Sequence, residues 1–390
     1  MKFGFKFSNL CGTVYADGNL AFTPDGGSLL SPVGNRVTVF DLENSKSVTL
    51  PSENRKNIST LALSPDGSTL ITVDEEGHAL LISFRRGVVL NHFNFKAVVN
   101  AIVFSPDGNC FAVSNENHVH VWKTPSLRRE FAPFVFDKTF TGHYDEVLSI
   151  DWSPDSELFI SGARDLTARI FARDKRKPGF PVVLGGHREP VMAAFLEDHE
   201  TAYTIGRDGA LFVWKLSEAS EEPTQVVGTK RPLQGRKAAR GWNRDARHFF
   251  MQAKALCATM HKKNKLLVVG FSNGIFGLYE MPDCVNIHTL SISSHKISTV
   301  SINNTGEWLA FGCKHLGQLL VWEWQSETYV LKQQGHSYGM NAMDYSANGS
   351  LIATAGEDGK VKLWNTSSGF CFVTFAEHTA PVQAVRYWHT

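Results

Sequence analysis

The chain has 390 residues, and at roughly 150 residues per domain this length predicts two or three domains unless the chain is a repeat array. Lys and Arg number 39 against 38 Asp and Glu, and the formal net charge of +1 excludes a protein whose entire surface binds nucleic acid. A hydrophobic share of 43 % with 20 % charged residues excludes wholesale disorder.

A turn motif recurs through the first half of the chain. Thr-Pro-Asp-Gly stands at 23–26, Ser-Pro-Asp-Gly at 64–67 and again at 105–108, and Ser-Pro-Asp-Ser at 153–156. Proline fixes φ at the first turn position and glycine accepts a positive φ, so each motif predicts a hairpin between two apolar runs. Successive motifs lie about forty residues apart, a spacing typical of repeat architectures.

Two further markers recur at about the same interval as this turn. Apolar strands that end in an aromatic residue recur at 37–40, 119–122, 168–171, 211–214, 276–279, 319–322 and 361–364. Gly-His pairs precede several units, at 142–143, 186–187 and 335–336. A period near 40–45 residues with Gly-His at the front and Trp at the end is the pattern of WD40 repeats. The sequence therefore predicts an all-β propeller built from four-stranded antiparallel blades.

The blade count predicts how the chain is divided. Eight units are visible, and we expect a seven-bladed propeller over residues 20–336, with 1–19 supplying an extra outer strand at Lys6–Leu10. Residues 337–390 would then hold an eighth blade and, from Pro381, the first strand of an unfinished second propeller. An eight-bladed closure is the alternative.

Some polar residues in these units could be mistaken for catalytic groups. Two complete sets of four are His187, Thr204, Asp208 and Trp214, then His336, Thr354, Asp358 and Trp364. A partial set is His143, Ser161 and Asp165, where Phe171 replaces the tryptophan. An active site is needed once, whereas these sets recur, so we interpret them as buried hydrogen-bond networks that stabilise each blade.

No other motif indicates catalysis or a cofactor. His118 and His120 share a strand face, but a zinc site needs three or four ligands, and no third ligand lies nearby in sequence. Nucleotide-binding glycine motifs and the nucleophile motif G-x-S-x-G do not occur. We expect a protein that is not an enzyme and that has no catalytic, cofactor-binding or metal-binding residues.

An insertion at 217–247, predicted to lie between blades five and six, is the most unusual segment. From 228 to 247 it carries seven basic residues, one acid and one tryptophan. The candidate RNA-contacting residues are Lys230, Arg231, Arg236, Lys237, Arg240, Trp242, Arg244 and Arg247. Arginine beside an aromatic ring suits RNA phosphates and unpaired bases. A solvated loop with no RNA role is the competing interpretation.

Longer strings carry a more specific resemblance. They include KFSNLCGTVY at 6–15, LSPVGNRVTVFDL at 30–42, LGQLLVWEWQ at 316–325 and YVLKQQGH at 329–336. With these strings the chain resembles the N-terminal part of the periodic tryptophan protein 2 family, over almost its whole length.

The resemblance implies a nucleolar WD40 subunit of the UTP-B subcomplex of the small-subunit processome. Such a subunit acts without catalysis in 18S ribosomal RNA maturation, with the U3 small nucleolar ribonucleoprotein and the 5′ leader of the precursor. The implied partners are other UTP-B proteins and this RNA, with no membrane and no small-molecule substrate. A general protein-interaction module with no RNA role is the alternative.

Overall fold

The computed structural model describes residues 7–126, 132–218, 240–250 and 253–388. Across these ranges the chain is strand and loop, apart from two single-turn 3-10 helices, Phe84–Arg86 and Lys314–Leu316. Among the described residues, no helix is both long and apolar enough to cross a membrane. The prediction of an all-β fold made of four-stranded antiparallel blades is confirmed.

The strands form eight sheets, each made of four strands that follow one another in the chain. Sheets one and two contain β1 Ala21–Phe22, β2 Ser28–Val33, β3 Arg36–Asp41, β4 Lys46–Thr49, β5 Ile58–Leu63, β6 Thr69–Asp74, β7 His78–Ser83 and β8 Val88–Asn94. Sheets three and four contain β9 Ile102–Phe104, β10 Cys110–Asn115, β11 His118–Lys123, β12 Val135–Phe140, β13 Val147–Trp152, β14 Leu158–Ala163, β15 Ala168–Ala172 and β16 Val182–Leu184.

The second half of the chain repeats the same plan. Sheets five and six contain β17 Val191–Leu196, β18 Thr201–Gly206, β19 Ala210–Glu218, β20 Arg240–Phe249, β21 Ala255–His261, β22 Leu266–Phe271, β23 Ile275–Glu280 and β24 Val285–Ser291. Sheets seven and eight contain β25 Thr299–Ile302, β26 Trp308–Cys313, β27 Gln318–Glu323, β28 Thr328–Gln334, β29 Met340–Tyr345, β30 Leu351–Gly356, β31 Val361–Asn365 and β32 Cys371–Phe375.

Seven sheets surround a central channel with a volume of about 520 Å³. Its wall is built from the start of each sheet in turn, through Leu20, Thr60, Val103, Ile150, Ala194, Ala258 and Val300. An eight-bladed ring would place β29 in this wall, but the wall contains no residue of the eighth sheet. The first seven sheets are therefore the blades of the ring, and the eighth sheet lies outside it.

The core is divided among the interfaces between neighbouring blades, which we call seams. Blade four shows how alternation along a strand feeds two seams. Phe159 and Phe171 pack with blade three, whereas Ile160 and Ile170 pack with blade five. All four side chains are buried. Burying each such side chain contributes about 1.5–3 kcal/mol, so a blade is stable only when both neighbours cover it.

The recurring turn owes its shape to a serine and an aspartate. In blade three, Ser105 Oγ donates to Asp107 Oδ1 at 2.5 Å and accepts the Cys110 N–H at 3.0 Å. The same Asp107 oxygen also accepts the Asn109 N–H at 3.0 Å. Gly108 has φ +71°, which a side chain would disfavour. These contacts set the register between the first and second strands of the blade.

Two predictions of strands at the ends of the chain are wrong for the described residues. Residues 7–10 form no strand, and Lys6 lies outside the described range. Asn9 instead uses its side chain on β4, where its Oδ1 accepts the Thr49 N–H at 3.0 Å. Residues 381–388 also form no strand, although the Val382 N–H donates to Gly356 O at 3.1 Å.

One lysine links three blades at an end of the channel. Lys262, in the turn after β21 of blade six, lies 2.7 Å from Asp151 Oδ2 of blade four and also donates to Trp152 O. The same Asp151 oxygen accepts the Leu196 N–H of blade five at 2.9 Å. A charged hydrogen bond between partly buried groups contributes more than an exposed ion pair.

We predict that Lys262→Met lowers the free energy of unfolding by about 1–3 kcal/mol, because Asp151 loses its cation and blades four and six lose their link. Urea unfolding followed by tryptophan fluorescence measures this change. Lys263→Met removes the same charge from the exposed neighbouring residue and should change the midpoint little. Equal midpoints for the two variants would refute the role of Lys262.

Candidate nucleic-acid interface

The basic insertion lies within blade five, not between blades five and six as the sequence predicted. Strands β19 and β20 pair antiparallel from Ala210 opposite Phe249 to Glu218 opposite Arg240. The insertion is therefore an extension of the hairpin between the third and fourth strands of that blade. Lys230, Arg231, Arg236 and Lys237 lie outside the described residues, and only the backbone of Arg240 is described.

A bulge in β20 places three of the candidate residues on one face. The register shifts beside Asp245, so Arg247 pairs with Phe212, Arg244 with Trp214 and Trp242 with Leu216. This face is the one that blade five turns toward blade four. Trp242 is half-buried and packs against the apolar cluster of that seam. Its ring therefore contributes to the packing of this seam, and its role in stacking on bases stays a prediction.

Arg244 and Arg247 remain exposed on the rim of blade five. Their guanidinium carbons lie 5.0 Å and 5.5 Å from the centre of the Phe212 ring, and Arg247 also lies 5.2 Å from the Phe249 ring. Among the described residues, no acid lies within ion-pairing distance of either arginine, and the nearest acid in sequence, Asp245, pairs with Lys215 at 2.7 Å. Cation–π contacts hold a guanidinium in place and leave N–H groups at its edge available for phosphate oxygens.

A second basic turn, at 173–177 in blade four, has three of its four basic side chains engaged. Arg173 Nη1 donates to Asp107 Oδ2 at 2.9 Å, and Lys177 lies 3.0 Å from Glu157. Lys175 donates to a backbone carbonyl of blade three and lies 5.0 Å from the Phe140 ring. Arg173 and Lys175 hold blade four against blade three, so the exposed pair Arg244 and Arg247 is the better candidate for an anionic partner.

The structure brings all four members of the network in the eighth sheet together. His336 Nδ1 lies 3.0 Å from Asp358 Oδ1, and His336 Nε2 lies 2.8 Å from Thr354 Oγ1. The Trp364 indole donates to the same hydroxyl at 2.9 Å. Burial acts to raise the pKa of Asp358, but the hydrogen bond and charge of His336 outweigh it and lower that pKa.

Blade five makes only part of the same network. His187 Nε2 lies 2.7 Å from Thr204 Oγ1, which also accepts the Trp214 indole N–H at 2.9 Å. His187 Nδ1 is buried and has no hydrogen-bond partner among the described residues, and Asp208 instead accepts the Ala210 N–H at 3.1 Å. The His187 ring stacks on Phe212, with ring centres 4.1 Å apart. Burial, together with the charges of Arg247 and Arg244, lowers the pKa of His187 to about 4.

Blade four keeps the histidine contacts and lacks the indole. His143 lies 2.9 Å from Asp165 Oδ2 and 2.7 Å from Ser161 Oγ. Phe171 occupies the tryptophan position and packs face to face with Phe159, with ring centres 5.2 Å apart. The Ser161 hydroxyl therefore contacts one network partner, whereas the Thr204 and Thr354 hydroxyls each contact two.

One position on the third strand was not predicted from the sequence, and it pairs with the network serine or threonine of the second strand. That position holds Arg169 in blade four, Phe212 in blade five and Lys362 in the eighth sheet. Phe212 is the platform for both exposed arginines, yet it reads as an ordinary core residue in sequence. Aligning the units would have revealed this position, because it holds a cation in two of them and an aromatic ring in blade five.

His118 and His120 lie on β11, where His120 contacts Phe136 with ring centres 5.6 Å apart. Across the ranges that the structure covers, no three His, Cys, Asp or Glu residues cluster as metal ligands.

Comparisons with known proteins agree with the repeat pattern. The family model "WD domain, G-beta repeat" matches residues 87–123, 135–171 and 327–365. The chain is 46 % identical over 383 residues to Periodic tryptophan protein 2 of Saccharomyces cerevisiae. The aligned region covers 96 % of this chain and 42 % of that relative. The chain belongs to the periodic tryptophan protein 2 family.

Two other relatives of this family give similar values. The homolog of Neurospora crassa is 50 % identical over 92 % of this chain and 40 % of its own length. The homolog of Mus musculus is 44 % identical over 97 % of this chain and 45 % of its own length. The chain thus spans less than half the length of these curated relatives of the periodic tryptophan protein 2 family. It is a WD-repeat scaffold.

We predict that Asp358→Ala lowers the free energy of unfolding by about 1–3 kcal/mol, because His336 Nδ1 loses its buried partner. The matched variant Asp208→Ala should cost less, since Asp208 makes no hydrogen bond to His187 Nδ1 in the described part of the chain. Parallel urea titrations compare the two variants. An Asp208→Ala cost that equals or exceeds the Asp358→Ala cost would contradict this account of the networks.

Proposed function

We propose that the chain is a non-catalytic scaffold of ribosome biogenesis that acts in assembly of the small-subunit processome and in 18S precursor processing. Its proposed site of action is the nucleolus. Its proposed partners are other UTP-B proteins, the U3 small nucleolar ribonucleoprotein and the 5′ leader of the precursor RNA. Membership of the periodic tryptophan protein 2 family supports this proposal, because the resemblance implies that role.

A scaffold role agrees with how the polar side chains are used. The histidine, hydroxyl and carboxylate groups that could resemble a catalytic set are buried and hydrogen-bonded to one another in blade four and the eighth sheet. Because His143 and His336 both serve the fold in this way, neither is placed to act on a substrate. The exposed rim and the two faces of the ring are then the surfaces available to partners.

The proposed RNA contact is the exposed edge of blade five. The observation that carries it is the pair Arg244 and Arg247, both anchored on Phe212 and both without an acidic partner in the described part of the chain. Phosphate groups would accept hydrogen bonds from these guanidinium groups, and the basic residues of the adjoining insertion would extend the contact. The half-burial of Trp242 points to phosphate contacts in preference to base stacking.

A protein-only interaction module is the second candidate. The observation that favours it is that Trp242 packs into the seam between blades four and five while Lys215 pairs with Asp245. Under this alternative, Arg244 and Arg247 only cover Phe212 and stabilise the extended hairpin of blade five.

Replacing Arg244 and Arg247 with Gln in the full-length protein separates these candidates. Under the RNA proposal, ultraviolet crosslinking to RNA falls, and the slope of log affinity against log salt weakens by about 0.7 for each lost phosphate contact to single-stranded RNA. A further variant that also changes Lys230, Arg231, Arg236 and Lys237 to Gln should lose more.

The charge-matched control is Arg85→Gln with Arg86→Gln, two exposed residues in a 3-10 turn of blade two. This control should leave crosslinking and the salt slope unchanged. If both variants of the blade-five arginines crosslink to RNA as strongly as the parent and the control do, the RNA proposal is refuted and the protein-only module is favoured.

The processome proposal is tested by affinity capture of the full-length protein from cells, followed by identification of proteins and RNA. We expect enrichment of UTP-B proteins, U3 RNA and the 5′ leader over an unrelated WD-repeat protein. Capture of a different protein set without these RNAs would overturn the proposal.

A further inference from the structure

We propose that the eighth sheet and the segment 9–19 together form a clasp that holds the first and seventh blades of the ring against each other. The ring must close where blade seven meets blade one, and each of these blades supplies its own four strands. No strand is therefore shared across this closing seam among the described residues. Closure has to come from side chains and from segments outside the ring.

The composition of the closing seam supports the clasp. Its buried cluster contains blade-one residues such as Leu29 and Phe40 and blade-seven residues such as Leu319 and Val321. It also contains four buried residues that belong to neither blade, namely Val14, Tyr15, Ile352 and Trp364. The buried clusters of the other six seams consist of residues from the two adjacent blades.

On its outer side, the eighth sheet bridges the two blades through the start of β32 and the turn before it. The Ser47 N–H of β4 donates to Ser368 O at 2.7 Å. The Gln333 amide of β28 forms two hydrogen bonds with the Cys371 backbone, accepting its N–H at 2.9 Å and donating to its carbonyl at 3.2 Å. Outer strands of both blades are therefore joined to one element.

Close packing reinforces these hydrogen bonds. The Phe370 ring lies 6.0 Å from the Phe40 ring of blade one, measured between ring centres. Gly369 has φ +73°, and a Cβ at this position would collide with Ser47 Oγ. Only glycine lets the turn approach β4 this closely.

On its inner side, the segment 9–19 runs between the blades. Tyr15 packs so tightly against blade seven that a Cβ on Gly312 would lie 2.7 Å from Tyr15 Cζ. The Ser31 hydroxyl of blade one donates to Val14 O at 2.8 Å. The His336 N–H, just before the eighth sheet, donates to Gly12 O at 2.8 Å.

This last contact connects the two parts of the clasp. His336 belongs to the complete network with Thr354, Asp358 and Trp364, and Trp364 is itself in the closing seam. Folding of the eighth sheet thus fixes His336 and inserts Trp364 between the blades. The eighth sheet thus stabilises the closing seam from outside the ring.

The test compares amide hydrogen exchange in the full-length protein and in a variant that carries Gln333→Ala and Phe370→Ala. We expect exchange to accelerate at least tenfold in β4 and β28, the outer strands of the closing seam. Strands of blades three to five should exchange as in the parent. If the double variant fails to fold, the milder Phe370→Leu alone should show the same localised acceleration.

The control variant carries Gln334→Ala and Phe372→Ala, which lie one and two residues further along the chain than Gln333 and Phe370. Gln334 bonds to Leu316 O within blade seven, and Phe372 is exposed on the eighth sheet. This control should leave exchange in β4 and β28 unchanged. The proposal is overturned if the clasp variant accelerates exchange only within residues 340–375, or if control and clasp variants accelerate β4 and β28 equally.

Discussion

The fold depends on one constraint, which is that each blade has two apolar faces and needs a neighbour on both sides. Side chains alternate along each strand, so a single strand such as β14 sends Phe159 into one seam and Ile160 into the next. A four-stranded sheet with two exposed apolar faces is not stable alone, and a closed ring satisfies every blade at once. The polar contacts, including the link from Lys262 to Asp151, then tie blades together at the ends of the channel.

The same constraint explains where a binding surface can arise. The inner three strands of a blade are used by the seams, whereas an outermost strand has an edge at the rim. In blade five this edge is lengthened, and its bulge turns Arg244 and Arg247 onto Phe212, with their charges directed to the rim and not balanced by an acid in the described residues. A scaffold can thus gain an anionic partner at the rim without altering the packing of the ring. The proposed RNA contact uses this freedom, and the proposed clasp uses the same principle at the closing seam.

Much of the fold could be predicted because local chemistry determines it. Pro-Asp-Gly turns such as 105–108 set hairpins through contacts between neighbouring residues, and the aromatic strand ends mark the third strand in seven of the eight units. The positions of Trp242 and Arg244 could not be predicted, because a bulge beside Asp245 decides which face each side chain joins. The roles of Asn9 and Gln333 could not be predicted either, since their partners Thr49 and Cys371 lie about forty residues away and meet them only in the folded chain. Long-range geometry of this kind leaves no periodic signal.

The central claim is that seams, and not individual sheets, hold the structure together. Native-state hydrogen exchange at increasing urea concentration tests it most directly, because it measures the free energy at which each strand opens. The account predicts that the second and third strands of all seven ring blades, among them β14 and β26, converge on one common unfolding free energy. Separate plateaus for individual blades, each opening while its neighbours stay protected, would contradict it.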